Sequence, residues 1–324
     1  MNRLARLVLS VACSFTLLPT HASNSENNGM ADTTNLTMPM LKLNNGIEMP
    51  QFGIGTFTLP DNETTVKLLV QALKRGYRHI DTAHAYRNEE SVGKAIRESG
   101  VPREEIWLTS KLWPNEYGEG KTAKAIDEML QRLGVDYIDL LYLHQPVGDY
   151  KGAWHDLEKA VSKGKVRSVG ISNFDYNDRV FSDIVDSMKI KPAAMQIECH
   201  PYAQRKYWQE KLKQHNIVLE CWYPLGGRSS HGELLMDPVI CGIAKAHGKT
   251  AAQVIIRWHI QEGFSVIPGI DNSKYIDENI RTLDFTLSDE EMNAIRALDK
   301  EQRFFNMTYE EAQRRFGNHG LYDN

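Results

Sequence analysis

Cysteine is scarce in this chain: four in 324 residues, with no CxxC pair. That excludes a disulfide-dense scaffold and the usual zinc-binding spacings. No apolar run of about 18 residues follows residue 30, so the body of the chain carries no membrane-spanning helix. Neither sign of charge dominates. Against 42 Asp and Glu stand 38 Lys and Arg, leaving −4. This excludes a broad basic surface, and with it nucleic acid as a main partner. Low-complexity tracts, linkers and repeats longer than a βα unit are also missing. What remains is an ordinary globular balance, 41% hydrophobic and 25% charged. The length suits two average domains or one large α/β barrel.

The N-terminus has the layout of a secretory signal peptide over residues 1–22. Arg3 and Arg6 precede an apolar stretch from Leu7 to Leu18, and Thr20-His21-Ala22 offers a small-residue cleavage triplet. Residues 23–38 then read as a flexible segment, and 39–324 as a single barrel domain that includes a C-terminal substrate loop. On this reading the protein is exported or periplasmic. The alternative is a start at Met30, which gives a cytoplasmic protein without the segment. Cys199, Cys221 and Cys241 would remain in the exported chain, an odd number. They read as packed or inert thiols. Oligomeric state is not legible.

Leu41-Lys42-Leu43 and Ile47-Glu48-Met49 alternate around Asn44-Asn45-Gly46, a hairpin signal. Strand candidates follow at 52–57, 78–82, 106–111, 138–144, 166–172, 193–198, 217–223 and 264–268. Helix candidates lie at 63–75, 89–99, 119–133, 151–163, 176–188, 206–215, 237–247, 250–262 and 274–283. A last helix, 288–299, opens with a capping box at Ser288 and Glu291. Eight strands alternating with helices predict a (β/α)8 TIM barrel with an N-terminal β-hairpin and extra helices. A polar tail after Lys300 is expected to be mobile. An open nucleotide-binding sheet would want GxGxxG after its first strand, and Gly53-Ile54-Gly55-Thr56-Phe57 does not supply it.

In such a barrel the C-terminal strand ends face the site. Those ends carry Asp81 with Tyr86 beyond it, Lys111, His144, Ser172 and Asn173, Gln196, then Trp222 and Tyr223. Buried polar groups at so many consecutive ends cost several kcal/mol unless they are paired. The residue types suggest a reaction. A Tyr beside a Lys can donate a proton, an Asp can hold the Lys in place, and a His can hydrogen-bond a carbonyl oxygen. Side chains supply no hydride, so a nicotinamide or flavin is implied.

At this point the chain resembles the aldo-keto reductase superfamily, especially bacterial small-carbonyl and diketo-gluconate reductase-like members. The resemblance runs from about Leu41 to Lys300. It rests on GIGTF, GYRHIDTAHAYRNEESVGKAIRESG, TSKLWP, LGVDYIDLLYLHQP, GKVRSVGISNF, QIECHPY, WYPLG and VIPG with a later DEN. It implies NAD(P)H-dependent reduction of aldehydes or ketones, with a small carbonyl substrate. Tyr86 would be the general acid, Lys111 would lower its pKa, Asp81 would pair with Lys111, and His144 would orient the carbonyl. Ser172, Asn173 and Gln196 would hold the nicotinamide carboxamide, and Trp222 would stack on its ring. Leu225 and Gly227 would meet the pyrophosphate, and Glu278 and Asn279 the adenine. Phe57, Trp113 and Tyr202 would line the substrate pocket with His144.

Two departures stand out. The family usually places Lys-Ser after Ile-Pro, then an Arg six residues after that Lys, to grip the NADPH 2′-phosphate. Here those two cation positions hold Gly269 and Tyr275, and Asp271 adds a negative charge. The expectation is NADH-leaning or dual cofactor use, with Lys274 as the cation able to compensate. Gln145 follows His144 where many animal members carry Trp, which removes an aromatic wall. Other motifs fail. Gly120-Lys121-Thr122 and Gly248-Lys249-Thr250 lack the earlier glycine of a P-loop, and His79 with His84 completes no metal set. No metal is expected. The alternative to an enzyme is a non-catalytic or regulatory nicotinamide-binding module on the same barrel.

Overall fold

Asn44-Asn45-Gly46 does turn the chain. Strands β1 (Met40–Lys42) and β2 (Glu48–Pro50) pair antiparallel with Leu41 opposite Met49. Gly46 takes φ +84°, a backbone that a Cβ would strain. The asparagines then anchor the turn: Asn44 Nδ2 donates to Pro192 O at 2.8 Å and Asn45 Nδ2 to Ser168 Oγ at 2.9 Å. Leu43 and Met49 share an apolar cluster with Trp107, Leu140, Tyr142, Ala193 and Ala194. The hairpin therefore plugs the end of the sheet opposite the strand C-termini.

The computed structural model describes residues 36–317. The leader-like segment 1–22 and most of 23–38 lie outside the described residues. Eight parallel strands follow in chain order: β3 (Ile54–Gly55), β4 (His79–Asp81), β5 (Trp107–Leu112), β6 (Ile138–Leu143), β7 (Val166–Ser172), β8 (Ala194–Glu198), β9 (Val218–Trp222) and β10 (Ser265–Val266). Parallel bridges Phe52–Val266 and Gly55–Gly269 join the first of these to the last, so the sheet curls into a barrel. The six central strands fall where the hydrophobic runs predicted. β3 and β10 shrink to two residues each, because Gly53, Gly55, Pro268 and Gly269 interrupt regular pairing.

The helices are α1 (Glu63–Lys74), α2 (Glu89–Ser99), α3 (Lys121–Leu133), α4 (Tyr150–Ser162), α5 (Asp178–Val185), α6 (Lys206–Gln214), α7 (Pro238–His247), α8 (Ala251–Gln261), α9 (Ser273–Ile280), α10 (Asp289–Arg296) and α11 (Tyr309–Phe316). Side-chain caps fix several starts, including Asn62, Asn177 and Thr250, and Ser288 forms the expected box with Glu291. A Cβ on Gly93 would fall 1.8 Å from Leu133 O, so only glycine lets α2 lie this close to the end of α3. No helix among the described residues is long and apolar enough to cross a membrane.

The tail corrects an expectation. Residues 301–317 are anchored to the barrel, and the rest of the tail lies outside the described residues. Buried Glu198 at the end of β8 accepts from the backbone N–H of Phe304 at 2.6 Å and of Phe305 at 3.2 Å, and from Arg303 Nε at 3.1 Å. Thr308 and Glu311 then form a capping box that starts α11, and Tyr309 Oη donates to Pro146 O at 3.0 Å. The sequence showed a polar tail because its anchor lies about a hundred residues away.

Candidate active site

The barrel's pairing register decides which side chains meet. Asp81 ends β4 opposite Thr109, and Lys111 stands two residues further along β5. Alternate residues share a face, so Asp81 and Lys111 both point inward. Lys111 Nζ donates to Asp81 Oδ1 at 2.6 Å and Oδ2 at 2.7 Å, to Thr82 O at 2.9 Å and to Tyr86 Oη at 3.2 Å. Tyr86 arrives on a 3-10 turn, His84–Tyr86, immediately past β4. His144 follows β6, its N–H donating to Leu112 O at 3.1 Å, and its ring centre lies 5.9 Å from that of Tyr86. The structure thus assembles all four residues expected to carry the chemistry.

Their protonation follows from burial and charge. Burial lowers the Lys111 ammonium, but attraction to Asp81 and Tyr86 more than offsets this, so it is held above its usual value. Burial also draws the Asp81 carboxyl upward against the pull of Lys111. His144 is pushed well below the usual imidazole value by burial and by the Lys111 charge, so it is neutral near pH 7. Tyr86 differs from expectation. Lys111 does pull the phenol down, yet burial outweighs it and the neighbouring Asp81 adds to the rise, to about 12. A phenol held there is protonated at neutral pH and is a donor.

A deeper polar layer went unseen in the sequence. Gln196 commits both amide hydrogens, to Asp81 Oδ2 at 2.8 Å and to Glu220 Oε1 at 2.6 Å. Fully buried Glu220 also accepts from Tyr142 Oη at 3.2 Å and Ser265 Oγ at 2.7 Å. Gln196 therefore links the Lys111 partner to a second carboxylate and keeps only acceptor capacity toward a ligand. The clue was available: an acid inside Val218-Leu219-Glu220-Cys221 is an expensive residue on a buried strand.

The other expected cofactor residues sit along the same rim. Ser172 ends β7, and Asn173 follows in the left-handed region at φ +61°. Asn173 Nδ2 donates to His144 O at 3.0 Å and to Ser172 Oγ at 3.2 Å, while its Oδ1 accepts from Trp222 Nε1 at 3.1 Å. One side chain therefore braces three strand ends. Trp222 stands edge-on to Tyr223 at 4.8 Å and to Phe305 of the tail at 5.7 Å. Leu225 is half-buried against the core. Gly227, at φ +61°, lies under the Tyr223 ring, and a Cβ there would fall 2.9 Å from it. Glu278 on α9 accepts from Thr250 Oγ1 at 2.7 Å, and Asn279 beside it is buried. Gly269, Asp271 and Lys274 are exposed, as is Tyr275.

Phe57 and Trp113 wall the catalytic side chains. Phe57 is 55% exposed, with its ring 5.1 Å from that of Tyr86. Trp113 packs edge-on against His144 at 5.0 Å and against Phe316 of α11 at 5.2 Å, a contact no local pattern foretold. Tyr202 does not join them. It is buried, donates to Asp237 Oδ2 at 2.7 Å and lies under Lys300, so it seats the tail and does not line the pocket. His79 is likewise engaged, with Pro50 O at 3.1 Å and Thr109 Oγ1 at 3.0 Å. His144 Nδ1 and Gln145 Oε1 are buried without a hydrogen-bond partner. That unspent polar capacity, beside a protonated phenol and between aromatic walls, fits a polar ligand such as a nicotinamide with its carbonyl substrate.

This is the architecture and site of a barrel oxidoreductase. The chain belongs to the aldo/keto reductase family, whose model matches residues 51–300. It is 42% identical over 262 residues to the 9,11-endoperoxide prostaglandin H2 reductase of Trypanosoma cruzi (strain CL Brener), covering 81% of this chain and 92% of that one. It is also 42% identical over 264 residues to the glyoxal reductase of Bacillus subtilis (strain 168), covering 81% and 94%. A Bombyx mori aldo-keto reductase solved in complex with NADP superposes with a TM-score of 0.78 at 30% identity, covering 87% of this chain and 99% of that one.

Proposed function

We propose that this enzyme reduces small aldehydes and ketones, reactive dicarbonyls among them, with Tyr86 as proton donor. The observation that carries the reading is the buried relay Asp81–Lys111–Tyr86 beside a neutral His144. A reduced nicotinamide, when bound, would supply the hydride. Ser172, Asn173 and Gln196 would hold its carboxamide and Trp222 its ring. Leu225 and Gly227 would meet the pyrophosphate, and Glu278 and Asn279 the adenine. Neutral His144 donates to the substrate oxygen and orients it. As that oxygen gains negative charge, the Tyr86 hydroxyl gives up its proton and the Lys111 ammonium stabilises the phenolate left behind. Asp81 keeps the ammonium in place, and Phe57 and Trp113 exclude water.

Cofactor choice leans to NADH or to dual use. Gly269 and Tyr275 offer no fixed cation to a 2′-phosphate, and Asp271 adds repulsion. Each missing charge-assisted hydrogen bond is worth about 1.5–3 kcal/mol. Loss of absorbance at the reduced-nicotinamide band, followed with glyoxal and with NADH and NADPH side by side, tests both parts. Turnover favouring NADH, or shared between the two, is the expected result. A strong NADPH preference would move the phosphate grip to Lys274. No turnover across a panel of carbonyls, with nicotinamide still bound, would favour a non-catalytic binding module.

A further inference from the structure

The proton relay makes no direct use of Glu220, yet three strands converge on this acid. Its Oε2 accepts from Ser265 Oγ of β10 at 2.7 Å. Its Oε1 accepts from Tyr142 Oη of β6 at 3.2 Å and from Gln196 Nε2 of β8 at 2.6 Å. Tyr142 can lie there because position 170 on β7 is glycine: a Cβ would fall 2.3 Å from the Tyr142 ring. Glu220 is fully buried, and no Lys or Arg among the described residues pairs with it; His79 Nε2 stands 3.8 Å away. A buried acid without a close cation is costly, and its other hydrogen bonds must hold it. We propose that Glu220 is a positioning residue for the cofactor. It locks the Gln196 amide so that only the amide oxygen is free for a ligand, and the site thereby selects a nicotinamide with an N–H donor on its carboxamide. The proposal rests on the reading of Gln196 as a carboxamide partner.

The locking follows from donor and acceptor counts. Gln196 Nε2 lies 2.8 Å from Asp81 Oδ2 and 2.6 Å from Glu220 Oε1. Carboxylate oxygens accept, so the amide end between them is the NH2, and both its hydrogens are spent. The last torsion of a glutamine is broad and roughly two-fold, so one acceptor leaves the amide free to turn. Two acceptors, one on each hydrogen, fix its plane. Asp81 is the weaker anchor, because its Oδ2 also accepts from Lys111 at 2.7 Å. Glu220 takes no such cation and makes the shorter contact.

The neighbouring strand end completes the pattern. Ser172 Oγ accepts from Asn173 Nδ2 at 3.2 Å and donates to none of the described residues. Ser172 therefore keeps a hydrogen for a carbonyl oxygen, while the locked Gln196 keeps an oxygen for an N–H. A carboxamide has both groups, and the two partners tell its two ends apart.

The test takes the tighter binder of NAD+ and NADP+ and compares it with its 3-acetylpyridine analogue. In the analogue a methyl replaces the carboxamide NH2 and the carbonyl stays. Dissociation constants are read on the full chain by quenching of tryptophan fluorescence. The wild type should bind the native dinucleotide about three- to tenfold more tightly, the usual worth of one hydrogen bond. Glu220→Leu should bring that ratio close to one by weakening the native dinucleotide alone. Glu220→Val, suited to a strand, is the replacement if the leucine variant does not fold. Glu220→Gln keeps an acceptor for Gln196 and removes only the charge, so it should retain the ratio. A ratio unchanged in the apolar variants would overturn the proposal. So would a ratio lost equally in Glu220→Gln, which would make the effect one of charge. An equal fall in affinity for both dinucleotides would show a merely structural role and overturn it as well. A wild type that binds the two equally would instead overturn the assignment of Gln196 to the carboxamide, and the proposal with it.

Discussion

The two ends of the cleft are built differently. Around Tyr86 the charged groups are buried and held by several partners: Lys111 has Asp81, Thr82 and Tyr86, and Asp81 also has Gln196. At the other end, around β10 and α9, the groups that would face a 2′-phosphate are exposed. Asp271 bonds only its neighbour Asn272 within the described residues, and Tyr275 is 41% exposed. Buried charges must be satisfied almost completely, so one change there breaks a network. Exposed groups are screened, and a change there tunes affinity in small steps. The chemistry should be rigid to mutation and the cofactor preference easily moved.

The largest effect should come from Tyr86→Phe. It removes only the hydroxyl that Lys111 touches and leaves the ring against Phe57. General acid catalysis is worth about 10²–10⁴-fold. The reduction rate should fall by at least that lower bound while nicotinamide binding, read by fluorescence quenching, changes little. Comparable turnover in the variant would mean that the proton comes from elsewhere.

Lys111→Met tests whether this end is also the more costly to disturb. It leaves the Asp81 carboxylate buried without its ammonium, which costs about 3–5 kcal/mol. Denaturant unfolding should show a loss of this size. The exposed end supplies the contrast: Asp271→Ala should change stability by no more than about 0.5 kcal/mol. Equal losses would abolish the distinction between the ends.

The contrast also explains what the sequence could reveal. Asp81, Lys111, His144 and Tyr86 were legible because polar residues at successive strand ends are conspicuous against apolar runs. The six central strands were legible for the same reason. The anchoring role of Glu198 was not, because the tail groups that bind it, the Arg303 side chain and the backbone N–H groups of residues 304 and 305, lie about a hundred residues away, and no local pattern records such a pairing. The Trp113–Phe316 contact and the seat of Tyr202 were hidden likewise, since both depend on where the tail returns. The rise of the Tyr86 pKa escaped a reading that weighed the Lys111 charge without the burial around it.

A middle-sized effect is expected from restoring cations at the open end. Gly269→Lys with Tyr275→Arg should raise the NADPH-to-NADH ratio of kcat/KM by about 10–100-fold per restored charged hydrogen bond. The ratio should fall as salt is added, because both sites are exposed. An unchanged ratio would mean that the phosphate is already held by Lys274, and Lys274→Ala would then be the variant that moves it.

The smallest effect is a flat line, and it probes the buried end alone. His144 is neutral until well below the ordinary imidazole value, so it contributes no change of charge in the neutral range. Tyr86 acts as an acid, and its active protonated form is lost only as pH rises through the phenol value of about 12. The kcat/KM for carbonyl reduction should therefore stay constant through the neutral range and decline only on the alkaline side. A decline on the acid side, absent from a His144→Gln variant, would show that solvent reaches the imidazole and that burial at this end is looser than its hydrogen bonds imply. An alkaline decline that starts well below the phenol value would mean that the Lys111 charge, and not burial, dominates at the Tyr86 hydroxyl, and that this end is more open to solvent than its hydrogen bonds imply.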